Sequence, residues 1–471
     1  MPKKMPKEKT AKKTDATARP DCKVTIIGGG SRYWARDLMK DLALKAQFDG
    51  EVRLYDLNHE AAVKNVDIGK RIFARPEAVS NFKVRALKSL AGALKGADIV
   101  VISIEPGPME LRYADLEIPR AHGVIQPVGD TVGPGGWLRG LRAVPTFENF
   151  AHAIMANCPQ AWVINYTNPM TLCTRALYAA EPDIKAFGCC HEVFGTQNRL
   201  RGVAQDAFGM KDIHRSELEL NINGVNHFTW ATEAHCRGVD LFPALREKIS
   251  TPDFFADRSR DARKRVREKV YMGGSPCLVS LDLFRRFGAL GAAGDRHLCE
   301  FVPWYARDEK TLHRWGVVCT PYSFRLTSRG KKDLAADAYS QQAMNPTGEE
   351  GVEQIEALLG LRDLDTNVNL PNRGQSPDLP ADAVVETNAA FRRDRVTPLL
   401  ARPLPVAANS LVSRIVEVQE MILAAARARD LAAAREALFL DPLITLSTDR
   451  CEAMADEMLN HLKTELTACG Y

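Results

Sequence analysis

The chain reads as an α/β protein: a doubly wound parallel sheet in the first half and a mixed α/β part after it. Three observations predict this. Short Val/Ile-rich runs alternate with helical stretches from Cys22 to about Gly195, and continuous apolar strands of that kind are buried on both faces. A glycine-rich turn follows the first run directly. After Gly195 the pattern changes to period-two alternation and then to Ala- and Leu-rich helical spacing.

In order, "KVTIIGGG" opens the sheet, a helix spans about Arg32 to Ala46, and "EVRLYD" forms a second strand with a helix from about His59. "ADIVVISI" and "AWVINYTNP" supply further strands, and "AFGCCHEVFG" ends another. Residues 22–195 form one unit and 196–471 a second. Within the second, Glu217 to Leu241 alternates with turn signals, as an antiparallel meander does. Asp257 to Lys269 reads as a solvent-facing helix, Asn369 to Pro405 as an extended crossing segment, and the stretch from about Asn409 as two or three packed helices.

With 471 residues, 45% hydrophobic, the chain can bury a large core. Its formal charge is only +4, and residues 1–21 hold seven Lys/Arg against three Asp/Glu. That tail has no apolar periodicity and reads as disordered. Without aromatic or amphipathic company its lysines predict neither a nucleic-acid nor a membrane partner. There is no signal-peptide core or membrane-length apolar run, so a cytoplasmic protein is expected. Eleven cysteines without Cys-x-x-Cys spacing exclude a disulfide framework and a zinc ribbon.

"KVTIIGGGSRYW" places Gly28 and Gly30 between strand and helix, where backbone amides can approach a pyrophosphate at a helix N-terminus. Ser31 and Arg32 continue the turn, and Tyr33 stands where a third glycine is usual. Asp56, ending the second strand, is placed to bind ribose hydroxyls and favours NAD over NADP, because a 2′-phosphate would be repelled. A Rossmann-like dinucleotide site follows.

Past later strand ends lie Asn165 and Asn168 in "NYTNPM", then Cys190 and His191 in "GCCHE", with Asn226 and His227 in the polar turn "NGVNHFTW". A thiolate, an imidazole, an amide and substrate oxygens suit a borderline divalent ion. Each has a plainer reading, as a buried hydrophobe, a turn former or a hydrogen-bonded core histidine. Together with "GGGSRY", "GPGG" and "GDRHLCEFVPW", in this order, they resemble the NAD- and manganese-dependent glycosidases of glycoside hydrolase family 4, within the lactate/malate dehydrogenase-like superfamily. Cys190-His191-Glu192-Val193 resembles the α-galacturonidase subgroup.

The resemblance implies NAD and Mn²⁺, or another divalent transition metal, with Cys190 and His227 as metal ligands and Asn168, His191 and Arg296 at a uronide substrate. It implies oxidation at sugar C3, loss of the C2 proton, elimination of the group at C1, addition of water and return of the hydride. Asp295 is the expected base and Asp130 the expected acid, with a helix cap and a turn cap as their structural alternatives. Arg112 is a second arginine candidate for the substrate carboxylate, and Glu192 is expected to accept from a hydroxyl or pair with an arginine. A homodimer or homotetramer is implied as well. Three alternatives stand beside this reading: an α-glucuronidase or α-galactosidase of the same family, a malate/lactate-type NAD dehydrogenase, and an NAD-binding sensor that uses the basic tail.

Overall fold

The computed structural model describes residues 19–272, 275–331 and 343–471. The expected disordered tail, apart from its last three residues, lies outside them. Six strands build the first half: β1 (Asp21–Ile27), β2 (Asp49–Tyr55), β3 (Phe82–Ala86), β4 (Ile99–Ile102), β5 (Trp162–Asn165) and β6 (Lys185–Gly188). They pair in parallel in the order 3-2-1-4-5-6, the doubly wound order whose crevice lies at the strand carboxyl ends.

Alternation within these strands explains why their sequences are apolar throughout. Ile27, Val100, Val163 and Ala186 enter one hydrophobic core, while their neighbours Ile26, Val101, Ile164 and Phe187 enter another on the opposite face. Helices Trp34–Lys45 and His59–Phe73 cover one face. Helices Gly133–Asn157 and Met170–Ala180 cover the other.

The second half begins with the hairpin β7 (Leu218–Val225) and β8 (Phe228–Cys236), joined by β9 (Val239–Asp240) and β10 (Leu290–Gly291) in a small antiparallel sheet. Helix Ser259–Arg267 lies within the charged run read as helical. From Val406 onward the chain forms four helices, one more than the spacing suggested, the last of only six residues.

The segment read as a crossing stretch behaves differently. It contains three further strands, β11 (Leu364–Pro371), β12 (Val384–Arg392) and β13 (Arg395–Pro398), which extend the main sheet antiparallel from β6. The two-residue turn at Arg393–Asp394 contains no glycine, and Asp394 itself takes φ +48°, so the usual hairpin signal is missing. Both halves of the chain thus contribute to one nine-stranded sheet. No helix among the described residues is long and apolar enough to cross a membrane.

Candidate active site

The carboxyl ends of β1, β2, β5 and β6 bring the predicted residues to one edge. At β1, the amides of Gly28 and Gly29 both donate to Tyr55 O at 2.9 Å. Gly28 sits at φ +93°, and a Cβ there would lie 2.0 Å from Ser103 O, so only glycine lets the turn pass this close to the end of β4. The Gly30 amide donates to Asp56 Oδ2 at 2.9 Å and the Asn58 amide to Asp56 Oδ1 at 2.8 Å. Each carboxylate oxygen keeps a lone pair for a ribose hydroxyl. Ser31 Oγ accepts from Trp34 N at 3.1 Å and caps the helix start, and Arg32 is exposed. Next to the turn a pocket of about 410 Å³ is lined by Trp34, Ser103, Tyr166 and Glu349.

Beyond β6, Cys190 is buried, and desolvation beside Glu386 and Glu192 holds its thiol well above the ordinary value. His191 is half exposed, and its Nδ1 lies 2.9 Å from Glu349 Oε1, a partner that raises its pKa. His227 occupies the β7–β8 turn at φ +66°. Its Nδ1 is 2.7 Å from Thr131 Oγ1, and its ring stacks on His297 with centroids 3.8 Å apart. Burial pushes both imidazoles down to about 3, so both are neutral at physiological pH. Glu192 Oε2 accepts from Gly294 N at 2.7 Å, and its Oε1 lies 3.6 Å from His297 Nε2. With His297 neutral, this second contact is a weak polar one and not an ion pair.

Among the described residues no three His, Cys, Asp or Glu side chains converge as a complete metal cage. The donors present are nevertheless those of a partly open site. His227 is neutral and is oriented through Nδ1, which leaves Nε2 for a ligand bond. Asn226 is fully buried and lies against Cys190 and Glu386, yet neither atom of its amide makes a hydrogen bond of normal geometry. A cation between these groups would favour the Cys190 thiolate and engage the idle amide oxygen. The donor set fits a divalent ion whose remaining positions fall to substrate.

Asn168 precedes Pro169, and its Oδ1 accepts from Met170 N at 3.2 Å, which leaves Nδ2 as a donor. Asn165 is occupied within its own turn, accepting from Thr167 N at 2.8 Å and donating to Thr167 O and Thr174 Oγ1. The chain therefore uses Asn165 to shape the loop.

Three expected roles change. Asp295 is fully buried and bonds to the start of helix Leu278–Phe287. Its Oδ1 accepts from Ser280 N at 3.0 Å and its Oδ2 from Ser275 Oγ at 2.9 Å. Through these bonds it caps the neighbouring helix. Asp130 does lie beside His227 and His297 but is ion-paired with Arg112, and Arg112, Arg325 and Arg139 together hold its carboxyl well below the usual range. A carboxylate held in this way has no proton to give at neutral pH and cannot be the acid. Arg112 itself is spent on Asp130, Glu105 and Gly129 O, so it is withdrawn as a receptor for the substrate carboxylate.

Residues 127–131 hold this arrangement together. Starting helix Gly133–Asn157 with small residues lets it lie on the loop, because a Cβ on Gly136 would be 2.4 Å from the Thr131 carbonyl carbon. Arg139, buried in that helix, pairs with Glu105 and donates to Asn168 O at 3.0 Å. Glu300 Oε1 accepts from Val128 N at 2.6 Å and Gly129 N at 2.9 Å, while its buried Oε2 has no partner. Burial pushes this carboxyl up to about 8. Glu300 and Arg325 were not anticipated. Glu300 could have been found as a charge on the apolar face of "DRHLCEF", whereas nothing local distinguishes Arg325.

Comparison with known proteins covers nearly the whole chain. The model described as family 4 glycosyl hydrolase matches residues 23–205, and that of the family 4 glycosyl hydrolase C-terminal domain matches residues 222–444. An α-galacturonidase of Thermoanaerobacterium saccharolyticum is 44% identical over 452 residues, 95% of this chain and 97% of that protein. A crystal structure from Bacillus subtilis, described as a glucosidase, superposes with a TM-score of 0.84 at 41% identity, covering 93% of this chain and all of that one. A 6-phospho-α-glucosidase from gut microorganisms, solved with NAD and Mn²⁺, has a TM-score of 0.75 at 21% identity, covering 94% of this chain and 99% of that one, and shares the fold.

Proposed function

The chain belongs to the family 4 glycosyl hydrolases, and we infer that its reaction is the hydrolysis of α-galacturonides. The observation that carries the substrate is the nearly full-length 44% identity to an α-galacturonidase. Membership of a hydrolase family also displaces the malate/lactate dehydrogenase reading, which left Cys190, His227 and "GDRHLCEF" without a role. The NAD-sensor reading rested on the basic tail alone.

We assign NAD and a divalent transition metal ion, such as Mn²⁺, as cofactors. When bound, NAD supplies a reversible hydride acceptor and the ion a positive charge beside the sugar oxygens. The chain's own residues set the stage. Gly28, Gly30 and Ser31 shape the turn for the dinucleotide, with Arg32 at its rim, and Asp56 accepts from its ribose. Cys190 and His227 hold the metal, Thr131 fixes the His227 ring, and Asn168 and His191 meet sugar hydroxyls. Asp130, ionised beside the two histidines, accepts a hydrogen bond from a sugar hydroxyl. Glu192 ties the Cys190 loop to Gly294 and so keeps the two halves of the site in register.

Release of p-nitrophenol from the α-galacturonide, α-galactoside, α-glucuronide and 6-phospho-α-glucoside, with and without NAD⁺ and Mn²⁺, tests this. The expected result is turnover of the galacturonide that needs both additions and accumulates no NADH. Preference for another of the four glycosides overturns the substrate, and turnover without NAD⁺ overturns the cofactor.

A further inference from the structure

Five arginines surround the loop that carries Asp130 and Thr131, and their partners divide them. Arg112 is matched by Asp130 and Glu105, Arg139 by Glu105, and Arg142 by Asp115 at 2.9 Å. Arg296 and Arg325 form no ion pair among the described residues. Arg296 donates to Pro127 O at 3.1 Å and to Thr320 Oγ1. Arg325 donates to Val128 O at 2.9 Å. In both, the buried Nε has no partner.

We propose that Arg296 and Arg325 together form the receptor for the carboxylate of the uronide substrate, a deepening that rests on the galacturonidase reading above. They grip successive carbonyls of one loop, so their guanidinium groups are neighbours. The two half-buried cations make no ion pair and repel each other, and burial, Arg112 and Arg296 push Arg325 down to about 10 against the pull of the more distant Asp130. The nearby Glu300 offers no compensation, because burial keeps its carboxyl protonated up to about 8. An anion from outside resolves this mismatch, and two guanidinium forks suit a planar carboxylate. The place is right as well. His297, stacked on the metal ligand His227, feels the charge of both arginines, so an anion bound there belongs to a sugar whose ring reaches the metal. Two readings compete: a phosphate in place of the carboxylate, and a purely structural clamp on the loop.

The test is calorimetric titration of the NAD- and Mn²⁺-loaded protein with D-galacturonate, D-galactose and D-galactose 6-phosphate, using wild type, Arg325→Gln and Arg325→Lys. Wild type is expected to prefer galacturonate over galactose. Arg325→Gln should cut that preference by about 100-fold, and Arg325→Lys should restore part of it by keeping the charge but not the fork. Tighter binding of the 6-phosphate than of galacturonate overturns the carboxylate assignment. A preference unchanged in Arg325→Gln, with a lowered melting temperature, makes the arginine a clamp and overturns the proposal while leaving the substrate intact. If wild type shows no preference for galacturonate and hydrolyses only a neutral glycoside, it is the α-galacturonidase reading itself that fails.

Discussion

The nucleotide edge and the sugar edge are built from the same sheet but by different rules. At the first, Gly28, Gly30, Ser31 and Asp56 lie within 29 residues and act through backbone amides and one carboxylate. At the second, the loop 127–131, Cys190, the Asn226–His227 turn, residues 294–300 and Arg325 come from five separate stretches. Charges and imidazoles there are held by one another. The comparison teaches that a site made by one strand–turn–helix is set by local geometry, while a site made by convergence depends on which partners tertiary packing supplies.

Four substitutions break or sharpen this contrast. Cys190→Ser removes the proposed metal ligand, and turnover and Mn²⁺ affinity should fall on the order of 1,000-fold while NAD⁺ still binds, since even a ligand's hydrogen-bond partner is worth about 10–100-fold. Retained Mn²⁺ affinity would show that the thiol is only a buried hydrophobe. Asp56→Ala should do the reverse, weakening NAD⁺ by about 10–100-fold through loss of charge-assisted hydrogen bonds, with Mn²⁺ binding measured by titration unchanged.

Asp295→Ala tests the boundary of the sugar edge. As a cap it should lower stability by about 1–3 kcal/mol with kcat within about threefold, because its partners are Ser275 and Ser280. A loss of kcat near the 10²–10⁴-fold range typical of general bases, in a protein that melts normally, would return it to the chemistry. A pH-dependent effect concerns Glu300→Gln. The carboxyl rises from 4.5 to about 8 on folding, so the folded state binds the extra proton. Its stabilising contribution is complete below pH 4.5 and is lost as pH rises through about 8. Denaturant titrations across pH 5–8 should show wild type losing up to about 1.4 kcal/mol per pH unit relative to the variant. Parallel pH profiles would mean the carboxyl is ionised in the fold.

Much of the architecture was legible because strand–helix alternation is a local signal. Apolar runs at Val24–Ile27 and Ile99–Ile102, and the glycine turn between strand and helix, lead directly to the parallel order and its crevice. Cys190, His227 and Asn168 were singled out through motif company, and the fold brings Cys190 against Asn226, the neighbour of His227. What escaped is relational. Asp295 looked catalytic beside His297, but its bonds to Ser275 and Ser280 come from a stretch fifteen to twenty residues away that the motif does not contain. Asp130 sits where expected, yet its protonation is decided by Arg112, eighteen residues away along the chain. Arg325 carries no local sign because its meaning lies in lacking the close ion pair that Arg112 and Arg139 make. The β11–β13 strands were hidden by proline around them and by a hairpin turn without glycine.

That late addition to the sheet bears on biosynthesis. Gly188 in β6 pairs with Asn369 in β11, about 180 residues further along. At roughly 5–20 residues per second the ribosome needs on the order of 10–35 s to deliver that partner. In the interval the nascent chain presents an apolar sheet with an uncovered edge, the feature that invites pairing with a stranger. Production of this enzyme is therefore expected to depend on chaperone cover during that interval, and fragments ending before Leu364 are expected to be insoluble when expressed.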